Sequence, residues 1–396
     1  MAIFSRGRAS DPGAESPSLH SAPKAHIHGA GPAAYIYNIK GDFEMLQGSL
    51  REPAIAYETW GVLDPGRTNA VLLFTGLSPS AHAASSAKDP HPGWWEDMIG
   101  PDKPIDTRRY FVICVNSLGS CFGSTGPTST NPETGQPYRL SFPLLTLEDI
   151  ANAGAEVVGA LGIERLYATA GASMGGMTAL AFCLLHPKLS AGLICISSAT
   201  HSLPFSIALR SLQREMICTD PAWKNGNYPL DKEPFTGMRL ARKLGMVTYR
   251  SAAEWESRFG RERSEDPNVD DCLFRVGFEV ESYLDAHANK FIGSFDANCY
   301  LYLSRSVDLF DVANHGGTVE AGLRKVQVQR AMVIGVESDF LFPLHQQAEL
   351  AEGLRISVPE VDFRALPSIQ GHDSFLIDMD RFRPAIADFF SERPRG

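Results

Sequence analysis

No apolar run in this 396-residue chain reaches the ~20 residues that a membrane-spanning helix needs, which excludes that class. Positive charge is in deficit. Lys and Arg number 36 against 46 Asp and Glu, and the formal net charge of −10 offers no surface for nucleic acid or an anionic membrane. Cysteine is sparse and unpatterned. Cys114, Cys121, Cys183, Cys195, Cys218, Cys272 and Cys299 have no metal-ligand spacing, so no metal is expected. Their odd number, with Cys183 and Cys195 inside apolar runs, points to reduced core thiols in the cytoplasm. The first thirty residues are rich in Ser, Ala, Gly and Pro and lack the apolar stretch of a secretory signal. They predict a disordered tail over residues 1–32, in which His26 and His28 are solvated rather than ligating. There is no internal repeat, and no glycine loop of the kind that cradles the phosphates of a nucleotide.

What is present is a globular composition, 44% hydrophobic and 21% charged, on a chain long enough to bury a large core. Short strand-like runs begin near Tyr35: "AAYIYNI", "AIAYETWGVL", "NAVLLFTGL", "RRYFVICVNSL", "RLYATAGAS" and "AGLICISSA". The later ones alternate with helical patterns such as "TLEDIANAGAEVVGALG". The class is therefore α/β, with a mostly parallel sheet and helices on both faces. The alternation stops near Ser202, and helical and polar segments follow to about Gly316. "QRAMVIGVESDFLFP" then restores a strand, "PLHQQAELAEGL" a helix and "EVDFRAL" a last strand. We expect an α/β core over 33–201 and 316–396 and a helical insertion over 202–315.

"GASMG", residues 171–175, has the form G-x-S-x-G between a strand pattern and a helix pattern. Such a turn exposes a serine at its tip, and its small neighbours let strand and helix approach closely. With 35 glycines in 396 residues, on the order of 0.2 chance matches are expected, so the pattern alone is weak. A serine nucleophile on this architecture is followed in chain order by an acid and a histidine, each on a loop after a late strand. Asp339 ends one such strand pattern and His372 follows another, whereas His345 falls inside a helix pattern. The expected triad is Ser173–Asp339–His372. His372 would act as the base, and Asp339 would orient and stabilise its imidazolium. The backbone N–H of Met174 and that of Leu77, on the loop "TGLSPSAH" at 75–82, are the expected oxyanion donors.

Longer strings narrow the class. "GWWEDMIGPDKPIDTRRYFVICVNSLGSCFGSTGPTSTNPETGQPYRLSFPLLTLEDI" (93–150), "GASMGGM", "VESYLDAHANKFIGSFDANCYLYLSRSVDLFD" (280–311) and "SDFLFP…GHDSFL" resemble the homoserine O-acetyltransferase family. The resemblance runs from Tyr35 to Phe390. It implies an α/β-hydrolase fold with a helical lid, dimerisation through that lid, and a serine that takes an acyl group from acyl-coenzyme A. The acyl group then passes to an amino-acid hydroxyl, and no cofactor is permanently bound. The family's substrate-binding arginine falls on Arg214, and the aspartate beside its catalytic histidine falls on Asp373. An arginine fork suits an α-carboxylate and an acid suits an ammonium.

One departure matters. Homoserine acetyltransferases carry a loop like H-A-L-T-G-D-S-H, whereas "TGLSPSAH" looks like the serine O-succinyltransferase branch. This marks Pro79, Ser80, Ala81 and His82 as candidate specificity residues. Arg210 lies four residues before Arg214, shares its helix face, and would meet the distal carboxylate of a succinyl group. The expected reaction moves succinyl from succinyl-coenzyme A to L-serine, yielding O-succinyl-L-serine for cysteine synthesis. Homoserine O-succinyl- or O-acetyl transfer, towards methionine, is the near alternative, and a carboxylesterase the more distant one.

Overall fold

The computed structural model describes residues 29–264 and 277–391. The first 28 residues of the expected tail, His26 and His28 among them, lie outside the described residues, as does Cys272. Eight strands form the central sheet: β1 (Tyr35–Asn38), β2 (Ala54–Trp60), β3 (Ala70–Phe74), β4 (Phe111–Val115), β5 (Ala168–Ala172), β6 (Gly192–Ile196), β7 (Arg330–Val336) and β8 (Glu360–Leu366). Their spatial order is β1-β2-β4-β3-β5-β6-β7-β8. The β1–β2 and β2–β4 pairs are antiparallel, and all others are parallel. β3 "AVLLF" and β7 "RAMVIGV" are buried along their whole length. Interior parallel strands covered on both faces need such continuous runs.

Side chains alternate between two cores, as the two-residue period of a strand requires. Leu72 and Phe74 join the core under α1 (Leu147–Ala160) and α2 (Met174–Leu185). Val71 and Leu73 face the opposite core with Phe382, Ile386 and Phe390 of the C-terminal helix (Met379–Ser391). Thr146 and Asp149 close a reciprocal capping box that starts α1. Gly154 of α1 lies so near β3 that a Cβ there would stand 2.7 Å from the Phe74 ring, so α1 can pack this closely only with glycine.

Between β6 and β7 the chain leaves the sheet and forms α3 (Pro204–Cys218), α4 (Phe235–Tyr249), α5 (Ala252–Phe259), α6 (Glu279–Phe291) and α7 (Ala297–Leu309). α3 packs on α4 and α7, and α4 packs on α6. The strands deliver four loops to one end of the sheet, after β3, β5, β7 and β8. Carboxyl ends of parallel strands are where such folds gather functional groups. The sequence pattern contained no signal for the small hairpin Asp42–Met45/Gly48–Arg51 that follows β1. Among the described residues, no helix is long and apolar enough to cross a membrane, and no cluster of His, Cys, Asp and Glu could hold a metal ion.

Candidate active site

Ser173 sits between β5 and α2 at φ 56°, ψ −126°, a conformation that L-residues rarely adopt. The glycines around it are sterically obligatory. A Cβ on Gly171 would stand 2.2 Å from the Gly175 carbonyl, and one on Gly175 would stand 2.3 Å from the Phe74 carbonyl oxygen. The tight turn lifts the Ser173 hydroxyl out of the sheet and aims it at the loop after β8.

There, Ser173 Oγ lies 2.8 Å from His372 Nε2. His372 Nδ1 is 2.7 Å from Asp339 Oδ2. The other Asp339 oxygen accepts the Leu341 and Phe342 N–H groups at 3.0 Å each, so the carboxylate is fixed from behind. The His372 ring stacks on Phe342, with centroids 5.2 Å apart. Burial works against a charged imidazole here, but the Asp339 charge and hydrogen bond outweigh it and raise the His372 pKa above its ordinary value. The structure thus brings Ser173, His372 and Asp339 into one hydrogen-bonded chain.

The chain opens on a cavity of about 160 Å³, walled by the β3 loop, the nucleophile turn, α3, α4 and the His372 loop. Leu77 and Met174 both line it beside Ser173. Among the described residues, neither of their N–H groups is taken by a backbone carbonyl, and the Met174 amide opens α2. Asp373 lines it too. Burial pushes the Asp373 carboxyl upward, against the pull of His372, Arg250 and Arg242.

The β3 loop contributes less than expected. Leu77, Ser78 and Pro79 line the cavity, but Ser80, Ala81 and His82 do not. His82 instead turns back to the sheet, with Nδ1 2.9 Å from Glu58 Oε2 and Nε2 2.9 Å from the His91 carbonyl. Ser80 accepts the indole N–H of Trp94 on its carbonyl and the His82 N–H on its hydroxyl, while Ala81 is buried. Of the four candidate specificity residues, Pro79 thus lines the cavity, while Ser80, Ala81 and His82 stand behind it and hold the loop in place.

The two arginines of α3 also divide. Arg210 lines the cavity, with Nε 2.6 Å from Asp308 Oδ1 and Nη2 donating to Ser202 Oγ at 2.7 Å. Arg214 does not line it. Asp308 of α7 draws its guanidinium back, with Nη2 2.7 Å from Asp308 Oδ2 and Nη1 donating to Ser304 Oγ at 2.9 Å. Arg214, expected to meet an amino acid, is thus placed behind Arg210 and joined to it through a shared carboxylate. Sequence reasoning missed Arg242 of α4. It lines the cavity, its Nε is buried without a hydrogen-bond partner, and its guanidinium lies 4.5 Å from the Phe291 ring centroid.

The profile of the alpha/beta hydrolase fold family matches residues 69–376. A serine O-succinyltransferase of Litchfieldella anticariensis is 56% identical over 345 residues, covering 87% of this chain and 94% of its own. The chain belongs to the serine O-succinyltransferase family, within the α/β hydrolases. Members of this family are acyltransferases, and so is this chain. Among solved structures, homoserine O-acetyltransferase from Bacillus anthracis superposes with a TM-score of 0.84 at 26% identity, covering 92% of this chain and 98% of the other. Esterase E22 superposes at 0.81 with 28% identity, covering 90% and 99%. The serine O-succinyltransferase family thus shares its architecture with enzymes that pass an acyl group to an amino acid and with enzymes that pass it to water.

Proposed function

We propose that this acyltransferase succinylates L-serine, using succinyl-coenzyme A as donor. The observation that carries the reading is a hydroxyl–imidazole–carboxylate chain opening on a cavity that also presents guanidinium groups and a carboxylate. Burying the distal carboxylate of a succinyl group unpaired costs several kcal/mol, so a pocket for it must contain a cation. Arg210 supplies that cation, held in place by Asp308. The family membership of the chain supports the same donor and acceptor.

The mechanism has two halves. His372 takes the Ser173 proton as Oγ attacks the thioester carbonyl. Negative charge on the carbonyl oxygen is met by the N–H groups of Leu77 and Met174, and the positive end of α2 adds to their effect. Collapse expels the thiolate of coenzyme A, which leaves with the proton from His372. Serine then enters with its ammonium on Asp373. His372 removes its hydroxyl proton, and attack on the acyl-Ser173 ester releases O-succinyl-L-serine while the proton returns to Ser173. Asp339 holds the imidazole in the required tautomer throughout. Helices α3–α7 act as the lid. Their exposed Phe205, Leu212, Leu240 and Val247 support pairing of two copies through that lid. The free thiols of Cys114, Cys183, Cys195 and Cys218 support a cytoplasmic setting.

The test is an activity matrix of succinyl- and acetyl-coenzyme A against serine, homoserine and water. Succinyl should exceed acetyl sharply, because a charge is being recognised. Serine should exceed homoserine moderately, since one methylene is worth ~1–3 kcal/mol. Thiol release should require the amino acid. Acetyl with homoserine as the best pair would reject the reading, and so would release at full rate without any amino acid.

A further inference from the structure

The loop after β3 is tied down at its far end by a buried acid–imidazole pair. The ring of His82 points away from the cavity to Glu58 of β2, a side chain only 3% exposed. Nδ1 lies 2.9 Å from Glu58 Oε2, and Nε2 lies 2.9 Å from the His91 carbonyl oxygen. A carbonyl oxygen only accepts, so Nε2 carries a hydrogen. A second hydrogen must then lie between Nδ1 and the carboxyl, because a bare lone pair and a carboxylate repel at that distance. The contact exists only while the pair keeps this shared proton.

Much of one cavity wall hangs on it. Leu77 and Pro79, earlier on the same loop, line the cavity. The His82 N–H donates to Ser80 Oγ at 3.2 Å, and the Ser80 carbonyl accepts the Trp94 indole N–H at 3.0 Å. The His82 carbonyl accepts the Trp94 backbone N–H at 3.3 Å, and Trp94 lines the cavity as well. At the near end of the loop, Thr75 Oγ1 stands 3.0 Å from Ser117 Oγ. Leu77 is therefore held between two anchors, and only the His82 anchor depends on a proton.

The charged groups around the pair favour keeping that proton. Asp89 Oδ2 stands 3.9 Å from His82 Nε2, while its other oxygen takes the exposed ring of His91. Glu96 is occupied by Lys103 and by the Ser85 and Gly93 N–H groups. Cys114 of β4 lies opposite Glu58 in the sheet, and burial, helped by the Glu58 charge, keeps its thiol protonated. Burial opposes a charged His82 ring, but Glu58, the His91 carbonyl and Asp89 outweigh it and raise its pKa above the ordinary value. Burial also pushes the Glu58 carboxyl upward, against the pull of His82. The shared proton is thus present at and below the ordinary imidazole value of ~6.5 and is lost as pH rises through the raised one.

We infer that His82, protonated and tied to Glu58, is the positioning residue that holds the Leu77 N–H in the oxyanion site. It touches no substrate and acts through the loop, and the inference rests on the oxyanion role given to Leu77 in the previous subsection. When the shared proton leaves, the far anchor opens and the Leu77 N–H moves off the developing oxyanion. Acylation then fails on the alkaline side. His372 sets the acid limit of the reaction and His82 the alkaline one.

The experiment follows acylation of Ser173 by succinyl-coenzyme A alone, by rapid quench and intact mass, from about pH 6 to 10. Leaving out the amino acid removes its ammonium from the titration. Wild type should lose acylation rate at the alkaline end while its half-saturating donor concentration stays constant. Glu58→Gln keeps the contact without the shared proton, since its amide N–H donates to the neutral ring. His82→Asn keeps it from the other side, with an amide N–H that donates to Glu58 at every pH. Both should acylate within ~10-fold of wild type near pH 7, and both should lose the alkaline limb. His82→Leu breaks the anchor and should acylate ~100-fold more slowly across the range, the worth of a misplaced oxyanion donor, at an unchanged half-saturating concentration. Unfolding curves establish that each variant is folded. A wild type with no alkaline limb overturns the inference, as does a limb that stays in place in a folded Glu58→Gln or His82→Asn protein. A folded His82→Leu protein that acylates at the wild-type rate overturns it equally. Failure of the underlying functional reading looks different, because the wild type then forms no acyl-Ser173 at any pH.

Discussion

Asp308 is the carboxylate on which both arginines of α3 converge, and Asp308→Asn probes that convergence. Its side chain is 2% exposed, and those of Arg210 and Arg214 are 11% and 15% exposed, so water screens the group little. Arg210 Nε donates to Oδ1 at 2.6 Å, and Arg214 Nη2 stands 2.7 Å from Oδ2, off the hydrogen-bond axis. An asparagine keeps the shape but has one acceptor. It must turn its NH2 towards one guanidinium, and two positive charges are left facing each other. A charge-assisted hydrogen bond is worth ~1.5–3 kcal/mol, and breaking a buried ion pair costs ~3–5 kcal/mol. We expect a loss of ~3 kcal/mol in urea unfolding, and at about 2 °C per kcal/mol for a chain of this size, a Tm lower by roughly 6 °C. The KM for succinyl-coenzyme A should rise, because Arg210 loses its tether. Adding Arg214→Leu removes one of the opposed charges, so it should cost less in the Asp308→Asn background than in wild type, with a coupling above ~1 kcal/mol. A loss under ~1 kcal/mol with unchanged donor preference would mean that the three groups behave as a solvated surface pair, and the reasoning fails.

Ser173→Gly should abolish acylation yet leave stability unchanged or raised by about 1 kcal/mol. Glycine adopts a positive φ without the ~1–3 kcal/mol of strain that serine pays, which equals or exceeds the ~0.5–1 kcal/mol of its extra backbone entropy. Destabilisation in urea would show that the turn is not strained. In Asp339→Asn, plateau kcat should drop ~10⁴-fold. The acid limb of kcat/KM should also move. His372 acts as a neutral base, so wild-type activity is lost as pH falls through a pKa raised above the ordinary imidazole value of ~6.5. Without Asp339, burial remains and favours the neutral ring, so the limb shifts to lower pH. A limb that stays put would refute that origin of the shift.

The hydrogen-bonded chain of Ser173, His372 and Asp339 could be read from the sequence because each member follows a strongly patterned strand, and chain order limits the choice of partners. The glycines were legible for the same local reason: a turn between β5 and α2 has no room for a Cβ. Arginine roles are a different kind of information. Residues 210 and 214 share a helix face, as their spacing requires, but which one reaches the cavity is decided by Asp308, 94 to 98 residues away on α7. Arg242 lies in "RLARK", a basic run that reads as a solvated helix face until α6 brings Phe291 against it. Likewise, nothing local distinguishes Pro79, which lines the cavity, from His82, which turns back to Glu58 on a strand more than twenty residues earlier.

The account rests on Ser173 carrying the acyl group between donor and acceptor, and one measurement tests this directly. The protein is mixed with succinyl-coenzyme A alone, quenched, and analysed by intact mass and peptide mapping, and a parallel sample is chased with L-serine. The account predicts one succinyl group per chain on the peptide bearing Ser173, released on the chase as O-succinyl-L-serine and only slowly by water. A succinyl group on another residue would contradict it, as would an adduct that water clears as fast as serine does.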